Sequence, residues 1–80
     1  MERQEIIEKL TPVVCDTFSV GNIELTDDMS AQTVQQWTSL SFMTLLTRIE
    51  ALFGFKFKMM EMLKLKTMGD IISAIERHTA

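Results

Sequence analysis

Eighty residues, 46% hydrophobic and 24% charged and free of repeats or low-complexity runs, fit one small domain over residues 1–80 with a single core. The net charge of −3 argues against nucleic acid, which wants a basic stripe, and the lone cysteine excludes an internal disulfide or a cysteine-only zinc site. No apolar run approaches the ~20 residues that span a bilayer.

Met1-Glu2-Arg3-Gln4-Glu5 does not lead into the apolar core of a signal peptide, so a cytoplasmic protein with no membrane insertion is expected; the expected oligomeric state is a monomer. The charge is divided: residues 1–50 carry a net −5 and residues 51–80 a net +2. An acidic front suits basic partner surfaces, and a solvated face explains it equally well.

In chain order, the periodicity predicts a first helix from about Arg3 to Phe18. Ile6, Ile7, Leu10, Val13, Val14 and Phe18 share one sector, with Glu5, Glu8, Lys9 and Asp16 opposite. Pro12 removes one hydrogen bond to the carbonyl of Glu8 but points outward, so we read one kinked helix. The alternative is a fresh start capped by Thr11 with Pro12 at its first position. Cys15 lies off the apolar sector and reads as an idle surface thiol.

Ser19 to Trp37 is a long loop with sparse apolar anchors at Val20, Ile23, Leu25, Met29 and Val34. Ala31 to Gln35 has room for a short helical turn. A loop this long inside a small domain is usually functional or tied down. Here it crosses the bundle and delivers Trp37 to the second helix.

That helix is predicted over Ser39 to Phe53, roughly 22 Å at 1.5 Å per residue. Thr38 is the N-cap, Trp37 and Phe42 take the positions of a hydrophobic staple, and Gly54 closes the helix in the left-handed conformation. Phe42, Leu45, Leu46, Ile49, Leu52 and Phe53 fall in the core sector, with Ser41, Thr44, Thr47, Arg48 and Ala51 on the other side. Leu40 and Met43 break this division. They share a flank with Ser39 and stand off the core sector.

Phe55-Lys56-Phe57-Lys58 alternates like a strand but has no second strand to pair with. We read it as an extended connection that tucks two phenylalanines under the bundle. A short third helix follows from Met59 to Leu63. Thr67-Met68-Gly69-Asp70 has capping-box spacing and starts a fourth helix, its inner face made of Met68, Ile71, Ile72 and Ile75. The expected fold is all-α, a small four-helix bundle with a short third helix and a long loop between helices one and two.

A catalytic serine needs a base within reach, held by a third group. The only histidine, His78, is expected in the last frayed turn, no Gly-rich elbow surrounds Ser39, and there is no metal-ligand cluster. We therefore expect no enzyme. Ser39 at a helix start could also be merely a helix-start serine.

Leu40 and Met43 read either as a docking patch or as residues covered by the loop or the third helix. Among the seven methionines, Met59, Met60, Met62 and Met68 gather about the third helix. They could open for an apolar chain, lining a pocket of Leu46, Met60, Leu63 and Met68, or simply fill the core.

Trp37-Thr38-Ser39-Leu40, Ile49-Glu50, Phe53-Gly54-Phe55-Lys56-Phe57 and Thr67-Met68-Gly69-Asp70, at these spacings, resemble the acyl carrier protein family from about Ile6 to Ile75. The resemblance implies that Ser39 carries 4′-phosphopantetheine, donated from coenzyme A by a phosphopantetheinyl transferase. It further implies that the arm holds acyl or aminoacyl thioesters for acyl-loading and acyl-processing enzymes of fatty-acid, polyketide or other biosynthesis. Docking would involve Leu40, Met43, Thr47 and Glu50.

The sequence departs from the family pattern at Thr38, where the family has aspartate. It also lacks an acidic run on the second helix, which favours a dedicated pathway over housekeeping fatty-acid synthesis. The rival reading is a small helical protein-interaction domain with this fold and no prosthetic group.

Overall fold

Apolar residues spaced four apart build the first element. In the computed structural model, which describes all 80 residues, α1 runs Arg3–Phe18 as one helix with Pro12 inside it. Ile6, Leu10, Val14 and Phe18 are buried along one face. Thr11 does not cap a second helix; its hydroxyl donates back to the carbonyl of Ile7 at 2.7 Å. Ser19 ends α1 in the left-handed region at φ 56, and the Val20 N–H reaches the Cys15 carbonyl at 3.0 Å.

The remaining helices are α2 Ser39–Phe53, α3 Met59–Met62 and α4 Met68–His78. The architecture is the expected all-α bundle with a short third helix. Both α2 and α4 pack against α1. Leu45, Leu46 and Ile49 of α2 meet Met68, Ile71, Ile72, Ala74 and Ile75 of α4 in one core with the α1 stripe. Gly54 ends α2 at φ 76, a backbone that favours glycine.

One core expectation fails. Leu52 is 45% exposed. It sits at the rim between α1 and α2, where Pro12, Val13, Asp16, Arg48 and Ala51 border an open hollow and no third element covers it.

The loop between α1 and α2 is tied down at both levels, side chain and backbone. Leu25, Met29 and Val34 are buried. The N–H groups at the start of α4 extend the anchoring, Met68 to the Met29 carbonyl at 2.8 Å and Gly69 to that of Asp27 at 3.0 Å. A Cβ at position 69 would lie 3.0 Å from both Asp27 Cβ and Asp27 O, so this close approach needs glycine.

Arg3 closes the same seam, pairing with Asp27 at 2.6 Å and Glu76 at 2.7 Å. Residues 31–35 go no further than one helical turn. A single turn closes from the Val34 N–H to the Ser30 carbonyl at 2.9 Å, and the Thr33 hydroxyl then takes up the Ser30 N–H at 3.0 Å.

Residues 55–58 are extended and unpaired, with Phe57 buried and Phe55 half-buried. The third helix ends at Met62, with Leu63 as its C-cap, and buries no residue fully. Thr67 and Asp70 form the anticipated capping box, each side chain on the other's N–H at 3.1 Å.

The end of α4 differs from expectation. His78 is not frayed: its Nε2 lies 2.8 and 2.9 Å from the two Glu61 carboxylate oxygens, and its ring stacks on Phe55 at 4.2 Å. These contacts pin the one-turn α3 to α4. No helix is long and apolar enough to cross a membrane.

Candidate functional site at the start of α2

Trp37 is the anchor from which the site is built. Buried, it packs between Phe18 at 5.7 Å and Phe42 at 5.9 Å, the second pair stacked, so the staple forms as expected. Thr38 follows in extended conformation, and its Oγ1 accepts the Ser41 N–H at 3.2 Å. Ser41 returns the contact: its Oγ accepts the Thr38 N–H at 2.8 Å and donates to the Gln36 carbonyl at 2.8 Å. Serine thus fills the place that Glu or Gln takes in a capping box. The sequence reading put Ser41 on the outer face and missed this; the Thr-x-x-Ser spacing was the available signal.

Ser39 is therefore distinct from its neighbour. It is the first residue of α2 and exposed, and its hydroxyl projects from the helix start while that of Ser41 is held in the cap. The first turn contains no acidic residue. Its free N–H groups and the positive end of the helix dipole favour a phosphodiester at this position. Beside Ser39 lies a hollow of about 390 Å³ bordered by Ala31, Trp37, Thr38, Phe42, Leu65 and Lys66. A flexible arm rooted on Ser39 fits this setting.

Leu40 is 80% exposed and Met43 52%, so neither loop nor α3 covers them. The Thr44 and Thr47 hydroxyls donate to the Leu40 and Met43 carbonyls at 3.0 Å each, turning polar groups onto the helix and leaving an uncharged surface. Glu50 is half-buried instead, and its Oε2 accepts the Phe57 N–H at 2.7 Å. One carboxylate oxygen is thus committed to holding the α2–α3 connection.

The four residues of the expected acyl pocket divide between the core and the surface. Leu46 and Met68 are sealed in the core, whereas Met60 and Leu63 stand exposed. The one-turn α3 turns Met62 against the core and leaves Met60 on its outer side. Phe57 and Leu65, from the segments flanking α3, fill the core instead.

His78 is occupied by Glu61 and Phe55 and does not serve Ser39 as a base. Burial pushes the Glu61 carboxyl up. The His78 hydrogen bond, the Lys58 N–H and the charges of His78 and Arg77 outweigh it and hold the group below the usual glutamate range.

Residues 8–75 match the family described as "Phosphopantetheine attachment site". The chain is 30% identical over 76 residues to an acyl carrier protein of Coprothermobacter proteolyticus, covering 95% of this chain and 93% of that one. It is 27% identical over 78 residues to one from Lactobacillus johnsonii, covering 98% of each. The solution structure of holo acyl carrier protein from Geobacter metallireducens superposes with a TM-score of 0.83 at 33% identity, covering 90% of this chain and 83% of that one.

The chain belongs to the phosphopantetheine-attachment family, as an acyl carrier protein. Membership makes it a carrier of covalently attached 4′-phosphopantetheine and not a catalyst, served by a phosphopantetheinyl transferase and by biosynthetic enzymes.

Proposed function

We propose that Ser39 is the attachment residue and that the arm presents acyl or aminoacyl thioesters to the enzymes of a dedicated pathway in the cytoplasm, the carrier acting as a monomer. The observation that carries the assignment is the contrast between two serines in one helical turn. Ser39 offers an exposed hydroxyl, and Ser41 spends its own on the Thr38 N–H and the Gln36 carbonyl.

Partner enzymes dock on Leu40, Met43 and Thr47, with the remaining oxygen of Glu50 at the margin. An apolar patch at helical spacing suits a shallow groove. The lack of carboxylates at Ser41, Thr44 and Thr47 supports a dedicated pathway over housekeeping fatty-acid synthesis.

Incubation with coenzyme A and a broad-specificity phosphopantetheinyl transferase tests the attachment. The wild type gains the mass of the arm, and Ser39→Ala stays folded by circular dichroism and gains nothing. Loading that survives Ser39→Ala overturns the assignment.

A further inference from the structure

Lys66, which like Lys56, Lys58 and Lys64 has no ion-pair partner, is the lysine that faces the attachment region. It borders the hollow beside Ser39 and is the only charged residue on that lining, the others being Ala31, Trp37, Thr38, Ser39, Phe42 and Leu65. Its backbone is fixed, since its N–H donates to Asp70 Oδ2 at 2.9 Å in front of the α4 cap, and the adjacent Leu65 is buried. The stem of Lys66 therefore starts from a rigid point while its ammonium group is free to reach across the opening.

The adjacent Asp70 carboxylate takes the Lys66 and Thr67 N–H groups, and no acidic side chain borders the hollow or stands in the first turn of α2. Lys64, two residues earlier, points elsewhere: it borders the hollows that also contain Glu61 and Arg77.

We propose that Lys66 is the electrostatic partner of the phosphodiester on Ser39. It draws the root of the arm across the Trp37–Phe42 stack toward the α3–α4 connection. This rests on Ser39 being the attachment residue. The phosphodiester is the one permanent negative charge that the arm brings, and it is held by its ester bond at the mouth of a hollow whose sole charged wall is a lysine. A single exposed contact of this kind is screened by salt, since charges separate electrostatically over about 8–10 Å near physiological ionic strength. Lys66 is thus a positioning residue that biases where the arm lies without fixing it.

The test compares loaded wild type with loaded Lys66→Gln, Lys66→Arg and Lys64→Gln, following the ³¹P resonance of the phosphodiester from low to high salt. Peptide mapping by mass spectrometry first locates the arm in each protein. With the arm on Ser39, the wild-type ³¹P resonance moves as salt rises. Lys66→Gln sits at the high-salt position throughout, and Lys66→Arg and Lys64→Gln behave as wild type. The amides of Leu65 and Lys66 shift between the unloaded and loaded wild type.

An arm on Ser39 whose ³¹P salt response is the same in Lys66→Gln and wild type overturns the role of Lys66 and leaves the attachment site standing. So does a response lost equally in Lys66→Gln and Lys64→Gln, which would report net charge alone. An arm mapped to another residue overturns both.

Discussion

His78→Ala removes the contact that fastens α3, and its cost can be worked from the structure. Glu61, with a side chain 16% exposed, receives His78 Nε2 at 2.8 and 2.9 Å and the Lys58 N–H at 3.3 Å, with Arg77 at 3.8 Å. A hydrogen bond to a charged group contributes about 1.5–3 kcal/mol, and partial exposure places this one at the lower end. The His78 ring also lies parallel to Phe55 at 4.2 Å and edge-on to Phe57 at 5.9 Å, and aromatic pairs add about 0.5–1.5 kcal/mol. The expected loss is about 2–3 kcal/mol, or roughly 10–20 °C in Tm for a domain of this size.

The effect has a pH signature. The folded pKa of Glu61 lies below its ordinary value, so its contribution is complete above the usual glutamate range and is lost as pH falls through the lowered value. In His78→Ala burial meets less opposition, and the Glu61 carboxyl moves up. Thermal melts across pH give the first quantity and ¹³C-detected carboxyl titration the second. A double-mutant cycle with Glu61→Gln isolates the pair from the ring stack. A loss within the roughly 0.5 kcal/mol of an ordinary surface substitution, together with an unmoved Glu61 titration, would refute the reading that this pair holds α3.

Two further outcomes concern α2. Leu40→Ala and Met43→Ala should change stability by no more than about 0.5 kcal/mol, because both side chains are exposed. Leu45→Ala, truncating a wholly buried side chain, should cost about 2–5 kcal/mol in denaturant melts; equal losses at the three positions would contradict an open docking surface. Thr38→Asp keeps a cap and adds a carboxylate at the positive end of the helix, so the unloaded protein should gain about 0.3–1 kcal/mol. That gain should shrink once a phosphodiester sits on Ser39, and shrink less at high salt, while transferases that expect aspartate should load the variant faster. An identical gain in loaded and unloaded protein would remove the phosphodiester from this end of the helix.

The limits of α1 and α2 were legible in the sequence because local groups set them. Apolar spacing from Ile6 to Phe18 defines α1, and Thr38 and Gly54 satisfy the orphan backbone groups at the two ends of α2. Thr67 and Asp70 act in the same local way for α4. The position of Ser39 at a helix start follows from the Thr38 cap, and that of Leu40 and Met43 off the core sector from the arithmetic of 100° per residue.

Only the tertiary structure decided what depends on where helices meet. Leu52 shares the angular sector of Ile49, yet it ends at an open rim because α1 gives it no cover. Glu50 finds the Phe57 N–H seven residues on, His78 finds Glu61 seventeen back, and Arg3 finds Asp27 and Glu76 from the far end of the chain. Helical periodicity assigns a direction to each side chain but no partner. Partners arise when the shared apolar core brings separate segments into register, and by the same packing Lys66 comes to stand beside Ser39.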